Sequence, residues 1–142
     1  MIILDTNVVS ELSKKVTSSA VVAWLDVQAP ESLYLTSINA AELWAGVAVL
    51  PEGLRKRALE ASLESVLNRL FAGRRIPFDD AAARAYADIM QRTQAAGTPV
   101  PLADGLIAAI AAARGFIVAT RDEASFQAAS IGVINPWLCL DS

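Results

Sequence analysis

The sequence predicts an α/β fold, a central parallel sheet covered by helices on both faces. Three observations carry that reading. Short β-type runs alternate along the chain with helix-length segments. The runs are apolar throughout rather than alternating, as strands buried on both faces require. Pro and Gly fall singly between patterned segments, with no repeat, low-complexity tract or linker, so the expectation is one domain over residues 1–142.

The first strand is Ile2 to Leu4, a continuous apolar run ending at Asp5. Ser18 or Ser19 caps a helix through about Ala29, with Val21, Val22, Trp24 and Leu25 on its apolar side. Leu33 to Thr36 is a second strand. Ser37 then caps a helix that reaches Leu50, where Pro51 stops it. From Leu54 to about Ala72, Leu54, Ala58, Leu59, Leu63, Val66, Leu67 and Leu70 recur at helical spacing. Ile76 to Phe78 is a short strand, and Asp79 or Asp80 caps a helix ending near Gly97. A helix from about Leu102 to Arg114 follows, then a strand Phe116 to Ala119. A short helix near Glu123 to Ala128 and a strand near Val133 to Asn135 complete the pattern.

Composition then removes whole classes of chemistry. Apolar residues make up 54 % and charged residues 19 % of the chain, which supplies a core and excludes intrinsic disorder. The mean hydropathy of +0.41 is high, yet a membrane helix needs about 18–20 uncharged apolar residues. The longest charge-free run, Ala124 to Leu140, is interrupted by Gln127, Ser130, Asn135 and Pro136. No basic leader precedes the first apolar stretch, so the expected location is the cytoplasm. With no histidine and one cysteine, Cys139, there is no imidazole base, no His-bound zinc and no activated thiol. Carboxylates, hydroxyls, Lys, Arg and a hard metal ion remain. The net charge is −3, but eight of the twelve basic residues (Arg55, Lys56, Arg57, Arg69, Arg74, Arg75, Arg84 and Arg92) fall in one window. That window is either a solvated helical face or a surface that meets phosphates.

Four of the fifteen acids stand out because apolar residues flank them. Asp5 ends MIILD, and Asp122 ends FIVATRD. Glu42 lies in SINAAELWAGVAVL, with Ile38, Ala45 and Val49 on or near its helical face. Asp104 sits in PLADGLIAAIAAA above Ile107 and Ala108. A carboxylate near the core is costly unless it is paired, hydrogen-bonded or bound to a cation. Ligands of open parallel sheets bind beyond the carboxyl ends of the strands, and all four acids fall just past a strand or in the opening turns of a helix on that rim. Converging, they would repel one another and recruit a cation; with oxygen ligands only, that is Mg²⁺ or Mn²⁺, the ions of metal-assisted phosphodiester hydrolysis. The alternative is that Asp5, Asp104 and Asp122 are helix caps, as Asp79 and Asp80 are expected to be. Glu42 lies beyond the cap and faces Ala and Val, so a merely structural role is the weaker alternative for it.

At these residues the sequence resembles a PIN-domain ribonuclease, specifically a toxin of the VapC family in its FitB-like branch. The matching pieces are LDTNVVSEL (4–12), AAELWAGV (40–47), LFAGRRIPFD (70–79), PLADGLIAA (101–109), VATRDEASF (118–126) and INPW (134–137), in order over nearly the whole chain. The resemblance implies a five-stranded parallel sheet in the order 3-2-1-4-5 within a three-layer sandwich. It implies that Asp5, Glu42, Asp104 and Asp122 are the acidic quartet binding Mg²⁺ or Mn²⁺. Asn7 would position a water and Thr120 would hydrogen-bond a ligand carboxylate, while Arg121 sits where a phosphate or an acidic residue is met. It further implies a type II toxin that cleaves RNA, forms a homodimer, and is held by a cognate antitoxin. The antitoxin's N-terminal half binds operator DNA and its tail wraps the toxin, with an Arg near the acidic site. Two rivals stand beside this reading. One is a non-catalytic dimeric partner that tunes a DNA-binding antitoxin in operon repression. The other is a haloacid-dehalogenase-like phosphatase, which wants a second Asp where this chain has Asn7.

Overall fold

The structure, a computed structural model, describes residues 1–139. Residues 140–142, the last three of the expected domain, lie outside the described ones. Five parallel strands form one sheet in the order β3-β2-β1-β4-β5, as expected. They are β1 (Ile2–Leu4), β2 (Leu33–Thr36), β3 (Arg75–Ile76), β4 (Ile117–Ala119) and β5 (Val133–Ile134). Seven helices connect them: α1 (Thr6–Glu11), α2 (Ser19–Asp26), α3 (Ser37–Ala48), α4 (Leu54–Leu70), α5 (Asp80–Ala95), α6 (Leu102–Arg114) and α7 (Glu123–Ala128).

β1 lies at the centre, and its side chains divide between two cores as successive strand residues must. Ile3 joins Ile89, Ile107, Ile110, Val118 and Phe126 under α5, α6 and α7. Ile2 and Leu4 join Val8, Val21, Leu35, Leu67 and Phe71 under α1, α2 and α4. The α5–α6 contact is tight at Gly105, where a Cβ would stand 3.1 Å from Met90 Cε and 3.2 Å from Tyr86 Cε2. That glycine follows Asp104, so the turn carrying the acid is seated directly on α5.

Several local expectations change. Thr36, not Ser37, caps α3: its side chain accepts from the Asn39 N–H and the Asn39 side chain closes a capping box. Helix α1 has no sequence signal beyond Asp5 as a cap for whatever follows it. Helix α2 ends at Asp26, and a 3-10 turn, Pro30–Ser32, leads into β2. The strands begin or end a residue or two away from the expected limits. Along α4 only Leu67 is buried; Leu59, Leu63 and Val66 are half-buried along an open groove, and Leu54 is 80 % exposed.

Candidate active site at the carboxyl edge of the sheet

β1 and β4 are neighbours in register, Leu4 opposite Ala119, so the residues that follow them meet at the sheet edge. Asp5 is buried there, 5 % exposed, and its N–H donates to Ala119 O at 2.9 Å. Its Oδ1 accepts from the Thr6 backbone N–H at 2.8 Å and from Asn39 Nδ2 at 3.1 Å. Its Oδ2 accepts from Thr120 Oγ1 at 2.8 Å. A carboxylate oxygen has two lone pairs, so Oδ1 is saturated and Oδ2 keeps one open.

Thr120 is fully buried and joins the two halves of the site. Its one hydroxyl proton goes to Asp5, while the oxygen accepts from Asn7 Nδ2 at 3.3 Å and the Asp122 N–H at 3.0 Å. Asn7 Oδ1 in turn accepts from the Arg121 N–H at 3.3 Å. The segments that follow β1 and β4 are thereby locked together.

Asn39 is a site residue that sequence reasoning missed. Wholly buried, its Oδ1 accepts from Thr36 N–H (3.3 Å) and Thr36 Oγ1 (2.5 Å), and its Nδ2 donates to Asp5 and to Thr6 Oγ1 at 3.1 Å each. The signal was present: Thr36-x-x-Asn39 has capping-box spacing, and an Asn amide beyond the cap has spare donors.

Glu42 requires a correction. It is exposed rather than packed among Ala and Val, because α3 turns Asn39 and Leu43 toward the protein and leaves Ala45 and Val49, 82 % exposed, to solvent. Its Oε1 is nevertheless tied to the site by the Thr6 hydroxyl at 2.8 Å. Asp104 is half-buried in the first turn of α6, where Pro101 occupies the cap position and no side chain caps. Asp122 is exposed at the start of α7 and makes no cap bond. Capping therefore does not account for Asp104 or Asp122, whereas Asp79 does cap α5, accepting from the Ala82 N–H at 3.0 Å.

The four acids share one electrostatic field. Burial pushes the Asp5 carboxyl above its ordinary value; its three hydrogen bonds oppose this and the Glu42 charge reinforces it. Burial also pushes Asp104 up, with Asp5 and Asp122 adding to the rise and the Ser125 hydroxyl opposing it. Among the described residues, however, no three carboxylates close into a ready-made cage. The donor set is oxygen only, which suits a hard divalent cation and not a soft one.

The basic window is not one surface. Lys56 Nζ donates to Ala48 O at 3.0 Å and pairs with Glu52; Arg74 binds the carbonyls of Leu33 and Leu70; Arg75 meets Asn68; Arg92 meets Asp88 and Ser130. Lys56 and Arg74 hold carbonyls at helix ends and turns, a role not expected of the window, whereas Arg55, Arg57, Arg69 and Arg84 stand exposed on α4 and α5 as a solvated helical face does.

The family model described as PIN domain matches residues 2–131. The VapC ribonuclease Y4jK of Sinorhizobium fredii is 49 % identical over 137 residues, covering 96 % of this chain and 98 % of that protein. The Toxin FitB of Neisseria gonorrhoeae is 47 % identical over 137 residues, covering 96 % and 99 %. The solved structure of FitAB bound to an IR36 DNA fragment superposes with a TM-score of 0.93 at 44 % identity, covering 99 % of each chain. The chain belongs to the PIN-domain family, within the VapC toxins and on the side of FitB. The resemblance read from the motifs and the expected strand order both hold.

Proposed function

We propose that this chain is a Mg²⁺-dependent endoribonuclease toxin, with Mn²⁺ able to substitute. The observation that carries the reading is Asp5: a buried carboxylate fixed by three donors, with one lone pair left, its pKa raised by burial and the charge of Glu42, and its own charge adding with that of Asp122 to the burial that raises Asp104. Asp5 and Asp104 would be the principal ligands and Glu42 and Asp122 the further ones. When bound, the ion supplies Lewis acidity for hydrolysis of a phosphodiester. Thr120 keeps Oδ2 of Asp5 pointed into the site, Thr6 holds Glu42 on the same rim, and Asn7, its amide anchored on the β4–α7 segment, orients water. Water attacking in line at phosphorus leaves a 5′-phosphate and a 3′-hydroxyl.

FitAB is a two-protein assembly solved on DNA, and a cognate antitoxin with a DNA-binding half is the partner this reading assigns here. No helix among the described residues is long and apolar enough to cross a membrane, and the cytoplasm is the compartment in which such a pair would act. A groove of about 240 Å³ between α1, α3 and α4 suits the antitoxin tail. It is lined by Val9, Leu43, Val47, Leu59, Leu63 and Val66, and Thr6 and Glu42 are also on its wall. An apolar segment lying in it would bring a basic residue to the acidic rim. A homodimer that reaches operator DNA only through the antitoxin completes the assembly.

The test is cleavage of single-stranded RNA with Mg²⁺ and with EDTA, followed by mapping of the product ends. Cleavage that survives EDTA, or a cyclic 2′,3′-phosphate end, overturns the mechanism. The second reading, a non-catalytic partner of the antitoxin, draws on the absence of a closed carboxylate cage among the described residues. A thermal melt separates the two, since a binding-only module gains no stability from Mn²⁺.

A further inference from the structure

Asn39 and Glu42 stand one turn apart on α3, and Thr6 of α1 bonds to both. The protons of these residues and of Thr36 can be placed in only one way. The Thr36 N–H can only donate, so the Asn39 atom facing it is the carbonyl oxygen. The Thr36 hydroxyl accepts from the Asn39 N–H at 3.0 Å and gives its own proton to that same oxygen. With Oδ1 filled, both protons of Nδ2 point the other way, one to Asp5 Oδ1 and one to Thr6 Oγ1. Thr6 Oγ1 is thereby an acceptor toward α3, and its single proton is left for Glu42 Oε1. The bonds run in one direction, from the cap of α3 through one amide to two carboxylates on different elements.

Burial makes that order hard to change. Thr36 and Asn39 expose no surface, so no water can substitute for either. Glu42, by contrast, is an exposed side chain with three torsions, and the Thr6 hydroxyl is what ties it down. Asn is the side chain of its length that offers two donors and an acceptor without a charge. Asp would set a second negative group against Asp5, and a hydroxyl has one proton for two acceptors.

We propose that Asn39 is a positioning residue for the cation, presetting Asp5 directly and Glu42 through Thr6, so that the two carboxylates form one unit before an ion arrives. This rests on the Mg²⁺-dependent reading and adds to it the device that makes two of the four acids act together. A cation that meets prearranged oxygens has less ordering to impose. Groups that orient metal ligands typically change metal affinity by about 10–100-fold.

The experiment titrates Mn²⁺ into the metal-free protein by calorimetry at fixed pH, with the fold of each variant checked by circular dichroism. Asn39→Ala keeps the backbone N–H that Thr36 caps, and it should raise the Mn²⁺ Kd about tenfold. Thr6→Val should raise the Kd several-fold, and Thr6→Ser should restore it. In the Asn39→Ala protein, Thr6→Val should cost less than it does in wild type, because the two act in series. A lower Tm for Asn39→Ala with an unchanged Kd would make Asn39 part of a cap and nothing more. An equal cost of Thr6→Val in both backgrounds would make the two bonds independent. Either result overturns this inference and leaves the nuclease reading standing. Should Asn39→Ala not fold, Thr6→Val decides: a wild-type Kd overturns the relay, and a several-fold rise reversed in Thr6→Ser upholds it. If the wild type binds no Mn²⁺, the inference and the reading beneath it fall together.

Discussion

Replacing Thr120 with Val removes one hydroxyl and nearly nothing else, because the two side chains have the same shape and the site is fully buried. Three hydrogen bonds go with it. The bond to Asp5 Oδ2 is charge-assisted and contributes about 2 kcal/mol. The Asp122 N–H loses its acceptor in a half-buried place, costing about 1 kcal/mol. The Asn7 amide, bonded at 3.3 Å and half-exposed, can turn to water at little cost. The expected loss is about 3 kcal/mol, or a Tm lower by about 9 °C for a chain of this size. Because the Thr120 bond is the strongest influence lowering the Asp5 pKa, the variant should also hold its Asp5 proton to higher pH. Thermal unfolding followed by circular dichroism reads the first effect. Thr120→Ser is the control: it keeps the hydroxyl and loses only a methyl, about 1 kcal/mol. A Tm within about 3 °C of wild type for Thr120→Val, or an equal drop in both variants, would show that the hydroxyl does not carry this stability.

Asp5→Asn and Asp104→Asn should each abolish RNA cleavage and growth arrest while the protein stays folded, and growth arrest at equal expression would contradict both assignments. For Asp5→Asn the relief of buried charge is offset, since the new amide faces a Thr120 oxygen that already accepts two donors, so metal-free stability should change by no more than about 1 kcal/mol. Asp5 and Asp104 ionise above their ordinary value of 3.8, so between that value and their folded values the native state binds more protons than the unfolded chain. Stability from these groups therefore falls as pH rises through that window. The urea midpoint of wild type minus that of Asp5→Asn should decline in EDTA as pH rises above the ordinary value of 3.8, and Mn²⁺ should reverse the decline; a rising difference would be the wrong sign. At Gly46 a new Cβ meets nothing within 4 Å, and the position lines the groove. Gly46→Leu should raise stability by about 0.8 kcal/mol through helix propensity and weaken antitoxin binding about tenfold by calorimetry; unchanged affinity would move the antitoxin elsewhere.

The parallel sheet was legible because its strands are short, apolar runs, and the rim positions of Asp5 and Asp122 were legible because they follow two of them. The six residues of α1, TNVVSE, are too few to display a helical period, so that helix is almost invisible in the sequence. Glu42 misleads for a different reason: α3, SINAAELWAGVA, is apolar nearly all round, and with no polar face the pattern cannot say which stripe meets the sheet. The α4 stripe is a true stripe, but periodicity carries no information on whether a partner face closes over it. Asn39 escapes a reading built on charge, because its role is to hold a charge in place. The basic window clusters along the chain and scatters in space, because Arg74 and Lys56 are drawn to carbonyls that the turns on either side of α4 leave open.

The bond between Asp5 and Thr120 spans 115 positions, and it bears on how the protein is born. A ribosome delivers Asp5 at the outset and Thr120 only after β2, β3 and the six helices α1 to α6 have been made. Until β4 emerges and lies down beside β1, the first carboxylate has neither its hydroxyl partner nor the neighbouring acids from α6 and α7. On the proposed function, a chain built this way would have no assembled site through most of its synthesis, and would gain one only once β4 is made.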